Sequence, residues 1–262
     1  MDIKEIIKPI KSELEIFEDH FRQAMRSKIP FVDIIARYII KQKGKRIRPA
    51  LVLLSAKACG EVNESTYRGA SLVEILHTAT LIHDDVVDEA NTRRGFPSIN
   101  AVWKNKIAVL MGDYLLAKGL LLSLDNNDYK FLKTTSQSVR RMSEAEILQI
   151  KKSRDLDIDE ETYMNIISGK TASLFATCCE IGASSVTDNQ EIINQMNKFG
   201  ETLGIVFQMR DDLLDFTGRK SITGKPTGLD LKEKKLTLPL IHALTIAPRG
   251  EKKQVIQIVK KV

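Results

Sequence analysis

From about Thr66 the sequence keeps a helical apolar repeat that runs straight into three carboxylates, ending Leu76-His77-Thr78-Ala79-Thr80-Leu81-Ile82-His83-Asp84-Asp85-Val86-Val87-Asp88. At about 100° per residue, Asp84 and Asp88 lie roughly 40° apart on one helix face, with Asp85 in the same arc. Clustered carboxylates repel each other unless a cation joins them, and a hard divalent ion is their natural partner. His77 returns to nearly the same face two turns earlier. The pattern recurs once, at Asp211-Asp212-Leu213-Leu214-Asp215. The rest of the chain reads as the scaffold that brings these two stretches face to face.

That scaffold is helical. No stretch shows sustained strand-like alternation, so the expected fold is all-α, a single domain spanning residues 1–262. Helices are expected over about 2–25, 31–40, from Pro49 to Cys59-Gly60, 66–88, 102–124, 129–150, from Asp157 towards Gly182, from Thr187 to about Gly218, 236–245 and 251–262. Asp157-Ile158-Asp159-Glu160 and Thr187-Asp188-Asn189-Gln190 read as capping boxes. Gly112 and Gly119 interrupt an apolar helix, where glycine serves close packing or leaves room. Residues 218–230, with Gly218, Gly224, Pro226 and Gly228, form the one expected mobile loop.

The net charge of +6 suits an anionic partner. Lysine and arginine are not interleaved with aromatics, which argues against nucleic acid. Cys59, Cys178 and Cys179 lack metal-ligand spacing and sit in apolar runs, so buried free thiols in a reducing compartment are expected. The N-terminus has no basic-then-apolar signal pattern. No apolar run is expected to reach the ~20 residues of a membrane span. The expected location is cytoplasmic.

Both acidic triplets follow apolar helix interiors, Ala79-Thr80-Leu81-Ile82 and Leu203-Gly204-Ile205-Val206-Phe207. A solvated acidic face would not be preceded in this way. A cleft with a greasy floor and charged lips would. Six aspartates without a cysteine favour Mg²⁺, which shares its coordination with substrate phosphate oxygens. Cations stand at helix ends in Gly44-Lys45-Arg46-Ile47-Arg48-Pro49 and Arg93-Arg94. No glycine-rich nucleotide loop is present. His83 reads as a packing residue and His242 as a core residue. Cationic lips, magnesium and an apolar interior favour loss of a diphosphate leaving group, with a carbocation sheltered from water.

In these residues the chain resembles the trans-type polyprenyl diphosphate synthases. The resemblance rests on Gly44-Lys45-Arg46-Ile47-Arg48-Pro49, His77, Asp84-Asp85-Val86-Val87-Asp88 with Arg93-Arg94-Gly95, and Gly112-Asp113-Tyr114-Leu115-Leu116-Ala117. It continues through Gly169-Lys170-Thr171-Ala172, Phe207-Gln208 with Asp211-Asp212-Leu213-Leu214-Asp215, and Gly224-Lys225-Pro226 leading to Lys235-Leu236-Thr237-Leu238-Pro239. These matches occur in family order from about residue 40 to 245. The resemblance implies a bundle of mostly antiparallel helices around a deep apolar cavity, usually a homodimer. It implies head-to-tail condensation of isopentenyl diphosphate onto an allylic diphosphate such as farnesyl diphosphate. By position, Lys45, Arg48, His77 and Arg94 should hold isopentenyl diphosphate. Arg93, Lys170, Thr171, Gln208, Lys225 and Lys235 should surround the allylic diphosphate. Asp84, Asp85, Asp88, Asp211, Asp212 and Asp215 should bind a cluster of up to three Mg²⁺ ions. Arg93 and Lys170 should join these carboxylates in catalysis.

Two departures stand out: Lys234 replaces a usual glycine, and relatives commonly continue beyond position 262 through further C-terminal helices. Product length should follow the cavity wall below Asp84. Ala79 and Thr80 are small, which lets a growing tail pass and points to a medium or long product, hexaprenyl to octaprenyl. Such an apolar product would be released through peripheral membrane contact.

Three alternatives carry distinct signatures. A di-iron bundle would use Glu74-Ile75-Leu76-His77, but no second Glu-x-x-His exists. A partner subunit of a heteromeric prenyl synthase would be expected to lose motif carboxylates, and both triplets are intact. A terpene cyclase would share the magnesium chemistry but would not need Lys45, Arg48 and His77.

Overall fold

The computed structural model describes residues 3–42, 44–155, 158–217, 228 and 235–261. The expected all-α class holds. The helices are α1 (Ile3–Ile7), α2 (Lys11–Met25), α3 (Pro30–Lys41), α4 (Ile47–Cys59), α5 (Glu64–Val87), α6 (Ile99–Leu124), α7 (Tyr129–Asp155), α8 (Glu160–Ile167), α9 (Ser173–Ser184), α10 (Gln190–Thr217), α11 (Leu238–Ile246) and α12 (Arg249–Lys261). Among the described residues the strands are one short antiparallel hairpin, β1 (Thr92–Arg93) and β2 (Phe96–Pro97). The chain divides into two compact units. One comprises Met1–Ser136 with Thr177–Asn197, the other Gln137–Ala176 with Lys198–Val262.

The first unit is built on α5. This helix begins in a capping box: the Asn63 side chain accepts from the Thr66 backbone N–H, and the Thr66 hydroxyl accepts from that of Asn63. Its middle is buried nearly all round, with Leu72, Val73 and Ile75 fully enclosed, as expected of a helix apolar on every side. Alongside it runs α6, and the two approach closely at Gly112 and Gly119. A Cβ at Gly112 would overlap the His83 ring. These interior glycines therefore serve close packing. In the second unit, α8, α11 and α12 share a core of Tyr163, Ile167, Leu240, Ile241, Leu244 and Val259.

Several boundaries differ from expectation. Pro9 has no N–H to give, and a 3₁₀ turn at Lys8–Ile10 splits the first expected helix. The caps of α8 and α10 are Asp159 and Asn189, not Asp157 and Thr187. Asp159 accepts from the Thr162 N–H, and Asn189 accepts from those of Glu191 and Ile192. Asp157 lies outside the described residues. His242 is exposed beside Glu160, because Ile241 and Leu244 take the buried side of α11. Cys178 and Cys179 are buried free thiols, whereas Cys59 is only partly covered.

The expectation about apolar runs also needs correction. Helix α6 is 26 residues long and contains an 18-residue window of mean hydropathy 1.7, so it reaches the length and apolarity of a membrane span. Asp113 and Lys118 are the only charged residues from Ile107 to Leu124. Lys104, at φ 71° and ψ 161°, kinks the helix near its start.

Candidate active site

The first unit gathers cations around one neutral histidine. Arg94 and Gly95 form the two-residue turn of the β1–β2 hairpin, both at positive φ (52° and 79°), the combination of a type I′ turn. This conformation sends the Arg94 side chain back to the loop before α4, where its Nη1 donates to the Gln42 carbonyl at 3.0 Å. A Cβ on Gly44 would lie 2.6 Å from that guanidinium, so a larger residue there would make the Arg94 side chain shift. Arg48 donates from Nη1 to His77 Nε2 at 3.0 Å. His77 is 8% exposed. Burial, then the charges of Arg48, Arg94 and Arg93, hold its pKa well below the ordinary histidine value. His77 is therefore neutral, with Nε2 the acceptor and the proton on Nδ1. Lys45 is exposed at the rim. The structure thus assembles Arg48, His77 and Arg94, which the sequence places on three separate elements.

The first acidic triplet closes α5. Its three side chains differ sharply: Asp88 is exposed, Asp84 half-buried and Asp85 buried. Both Nε and Nη2 of Arg93 donate to Asp85 Oδ1, at 2.6 and 2.5 Å. Asp85 is thus turned inward and paired, while Asp88 remains exposed. The Glu74-x-x-His77 pair offers no iron site either. Glu74 is bound to Arg46 and His77 to Arg48.

The second unit carries its own polar cluster. Between α8 and α9 the chain makes a π-helical turn, Ser168–Ala172, that displays Lys170 and Thr171. Periodicity could not have revealed this turn, although single π-turns frequently accompany functional sites. Lys170 pairs with Glu146 and donates to Gln149 Oε1. A relay of neutral donors reaches the second triplet. The Thr171 hydroxyl donates to Gln208 Oε1 at 2.7 Å, Gln208 Nε2 to Asp212 Oδ1 at 2.7 Å, and the Tyr163 hydroxyl to Asp212 Oδ2 at 2.7 Å. Asp212 is 5% exposed. Burial raises its pKa, Tyr163 and Gln208 oppose the rise, and Asp211 and Asp215 add to it.

Tyr163, Lys170, Thr171, Gln208 and Asp212 line a cavity of about 180 Å³, together with Ser153, Lys235 and Thr237. The sequence alone does not single out Tyr163, since nothing in its spacing marks it. Lys225 lies outside the described residues, as do Lys234 and most of the glycine-rich loop around Lys225. Along α10, Val206, Phe207 and Leu213 are exposed beside the triplet.

Among the described residues no three metal-ligating side chains converge. The donor set nevertheless consists of carboxylate oxygens alone, the chemistry a hard divalent cation takes. Each triplet keeps its two outer aspartates apart from the inward-turned middle one.

The chain belongs to the polyprenyl synthetase family, whose model matches residues 30–262. It is 38% identical over 255 residues to the all-trans-nonaprenyl-diphosphate synthase (geranyl-diphosphate specific) of Rhodobacter capsulatus, covering 97% of this chain and 78% of that one. It is 36% identical over 236 residues to heptaprenyl diphosphate synthase component 2 of Bacillus subtilis, covering 90% and 68%. Its fold matches the crystal structure of a polyprenyl synthase from Caulobacter crescentus complexed with calcium and isoprenyl diphosphate. The TM-score is 0.88 at 33% identity, with coverage of 96% and 77%. The reaction class is head-to-tail condensation of isopentenyl diphosphate onto an allylic diphosphate.

Proposed function

We propose that Lys45, Arg48, His77 and Arg94 receive isopentenyl diphosphate, and that Arg93, Lys170, Thr171, Gln208, Lys225 and Lys235 serve the allylic diphosphate. The observation that carries this reading is the N-terminus of α4. It has no capping side chain, yet Lys45 precedes it and Arg48 stands in its first turn. A helix N-terminus repels cations and attracts anions, so this arrangement suits a bound diphosphate. Neutral His77 fits the same purpose, since it offers an Nδ1–H donor and orients Arg48 through Nε2.

Asp84, Asp85, Asp88, Asp211, Asp212 and Asp215 form the proposed Mg²⁺-binding set. Calcium and isoprenyl diphosphate bound to the Caulobacter relative support a divalent cation here. When bound, the ions would supply Lewis-acid stabilisation of the departing diphosphate. The chain's own residues do the rest. Lys170 and Arg93 add fixed positive charge that stabilises the departing diphosphate. The isopentenyl double bond attacks the allylic cation, and the departing diphosphate takes the proton.

The proposed product is hexaprenyl to octaprenyl diphosphate. Of the products in the relatives' names, heptaprenyl falls within this range and nonaprenyl one unit above it. Ala79 is 2% exposed, so an aromatic ring there would also overpack the core. Thr80 is only partly covered, and its hydroxyl is bonded back to the His77 carbonyl. Thr80→Phe should therefore shorten the product by at least one isoprene unit. Product sizing by chromatography checks this, and unchanged length would refute the role of Thr80.

Homodimerisation is proposed as well, supported by the exposed Val102, Val109, Leu110, Leu121 and Leu124 of α6. Similarity to a synthase "component 2" favours a second reading, a subunit that works with a different partner chain. Both intact triplets favour activity alone. One assay decides: labelled isopentenyl diphosphate, farnesyl diphosphate and Mg²⁺ with the purified chain. Magnesium-dependent elongation is expected. Elongation only after adding a second chain would establish the heteromeric reading, and none in either case would overturn both.

A further inference from the structure

Arg46 lies between two residues with proposed substrate roles, yet its own side chain points elsewhere. Its backbone is left-handed, at φ 52° and ψ 31°, in the position just before α4. A non-glycine residue stays in that region only where its surroundings over-determine it. Here they do. Arg46 Nε donates to Glu18 Oε1 at 2.7 Å, Nη2 to Glu18 Oε2 at 3.4 Å, and Nη1 to Glu74 Oε1 at 2.5 Å. Its guanidinium carbon stands 4.7 Å from the centre of the Phe21 ring. The Glu74 side chain is 5% exposed and that of Arg46 14%. Burial works against the charged guanidinium, but Glu18 and Glu74 together hold it above the ordinary arginine value. The planar fork engages α2 through Glu18 and α5 through Glu74 at once, which a lysine ammonium could not reproduce.

This clamp has a directional consequence. Glu74 is one helical turn before His77 on α5. Arg46 is two residues before Arg48, which bonds to His77. The loop and the first turn of α4 are thus both tied to α5, through Arg46–Glu74 and through Arg48–His77. The left-handed turn between Lys45 and Ile47 sets where Lys45 and Arg48 project. We infer that Arg46, locked by Glu18 and Glu74, is a positioning residue that presents Lys45 and Arg48 to isopentenyl diphosphate without touching it. This inference rests on the isopentenyl diphosphate site proposed above.

Steady-state kinetics on Arg46→Ala, with Arg46→Lys and Glu18→Gln beside it, test the inference. Arg46→Ala should raise KM for isopentenyl diphosphate at least tenfold and leave KM for the allylic diphosphate within twofold. Glu18→Gln keeps one acceptor oxygen and should raise the same KM two- to fivefold, with Arg46→Lys falling between. An equal rise in both KM values, or no change in either, would overturn the inference. Should Arg46→Ala fail to fold by circular dichroism, Glu18→Gln decides: an unchanged KM for isopentenyl diphosphate overturns the clamp. Calorimetric titration with isopentenyl diphosphate separates this from failure of the underlying reading. Wild-type binding that Arg46→Ala loses upholds the clamp even without turnover. Wild-type elongation with unaltered variants sinks the clamp alone, and a wild type that neither binds nor elongates sinks both.

Discussion

The two aspartate triplets have the same spacing and opposite electrostatic designs. In each, the middle aspartate is turned into its own unit and buried, Asp85 at 3% exposure and Asp212 at 5%. Asp85 meets a full positive charge, the guanidinium of Arg93. Asp212 meets only neutral donors, the Tyr163 hydroxyl and the Gln208 amide, and burial raises its pKa. An ion pair makes removal of either partner costly, because the other is left charged and buried. A carboxylate held by neutral donors near two like charges is destabilised in its ionised form, so its cost falls on the folded protein. The motif is one; the surroundings make it two.

The comparison can be broken at the outer aspartates. Asp84→Asn and Asp211→Asn should each lower the elongation rate by about 10²–10³-fold, the usual size for losing one electrostatic contributor to a transition state. A large loss at one triplet with little at the other would show that only one of them serves the reaction. Arg93→Gln should come next. It strands Asp85 and should destabilise by about 2 kcal/mol, less than a fully buried pair would lose because Arg93 is 30% exposed. The double variant Arg93→Gln, Asp85→Asn should regain most of this in denaturant unfolding. If it does not, the ion pair is not the source of the effect.

Asp212→Asn should have the smallest effect on stability and the opposite sign, stabilising by about 1 kcal/mol at neutral pH while removing activity. The pH dependence fixes the sign. A raised folded-state pKa means the native protein binds more proton than the unfolded chain above the ordinary aspartate value of 3.8. The stability this contributes is present below pH 3.8 and lost as pH rises through the folded value. Melting curves in a chelator from pH 4 to 8 should therefore show the Asp212→Asn advantage growing with pH. An advantage that shrinks with pH would overturn the neutral-donor account of Asp212.

Much of this molecule was legible in the sequence because helices announce themselves locally. The apolar repeat predicts α5, and the positions of Gly112 and Gly119 predict close packing on α6, which they provide. The cationic loop, His77 and Arg94 were legible as candidates for one site, and the structure brings Arg48, His77 and Arg94 together. Other features were not legible. The sequence pattern points to capping boxes at Asp157 and Thr187, but Asp159 and Asn189 cap, since several nearby side chains could accept the same N–H. His242 sits in an apolar run yet faces solvent, because only the packing of α11 decides which side is inward. The π-turn at Lys170 leaves no periodic trace, and Tyr163 is one tyrosine among five until Asp212 lies beside it.

By itself the sequence determined the helical class, the spacing of both carboxylate triplets and the chemical kind of ligand they suit. All three follow from the order of residues within a turn or two of helix. Only the tertiary structure decided that Asp85 and Asp212 are turned inward, that one is matched by charge and the other by neutral donors, and that Arg46 grips two other helices. Burial and long-range pairing depend on residues distant in the chain, Arg46 reaching Glu18 and Glu74, Tyr163 reaching Asp212. A carboxylate's charge state answers to that distant company, while its place on a helix face answers only to its neighbours in sequence.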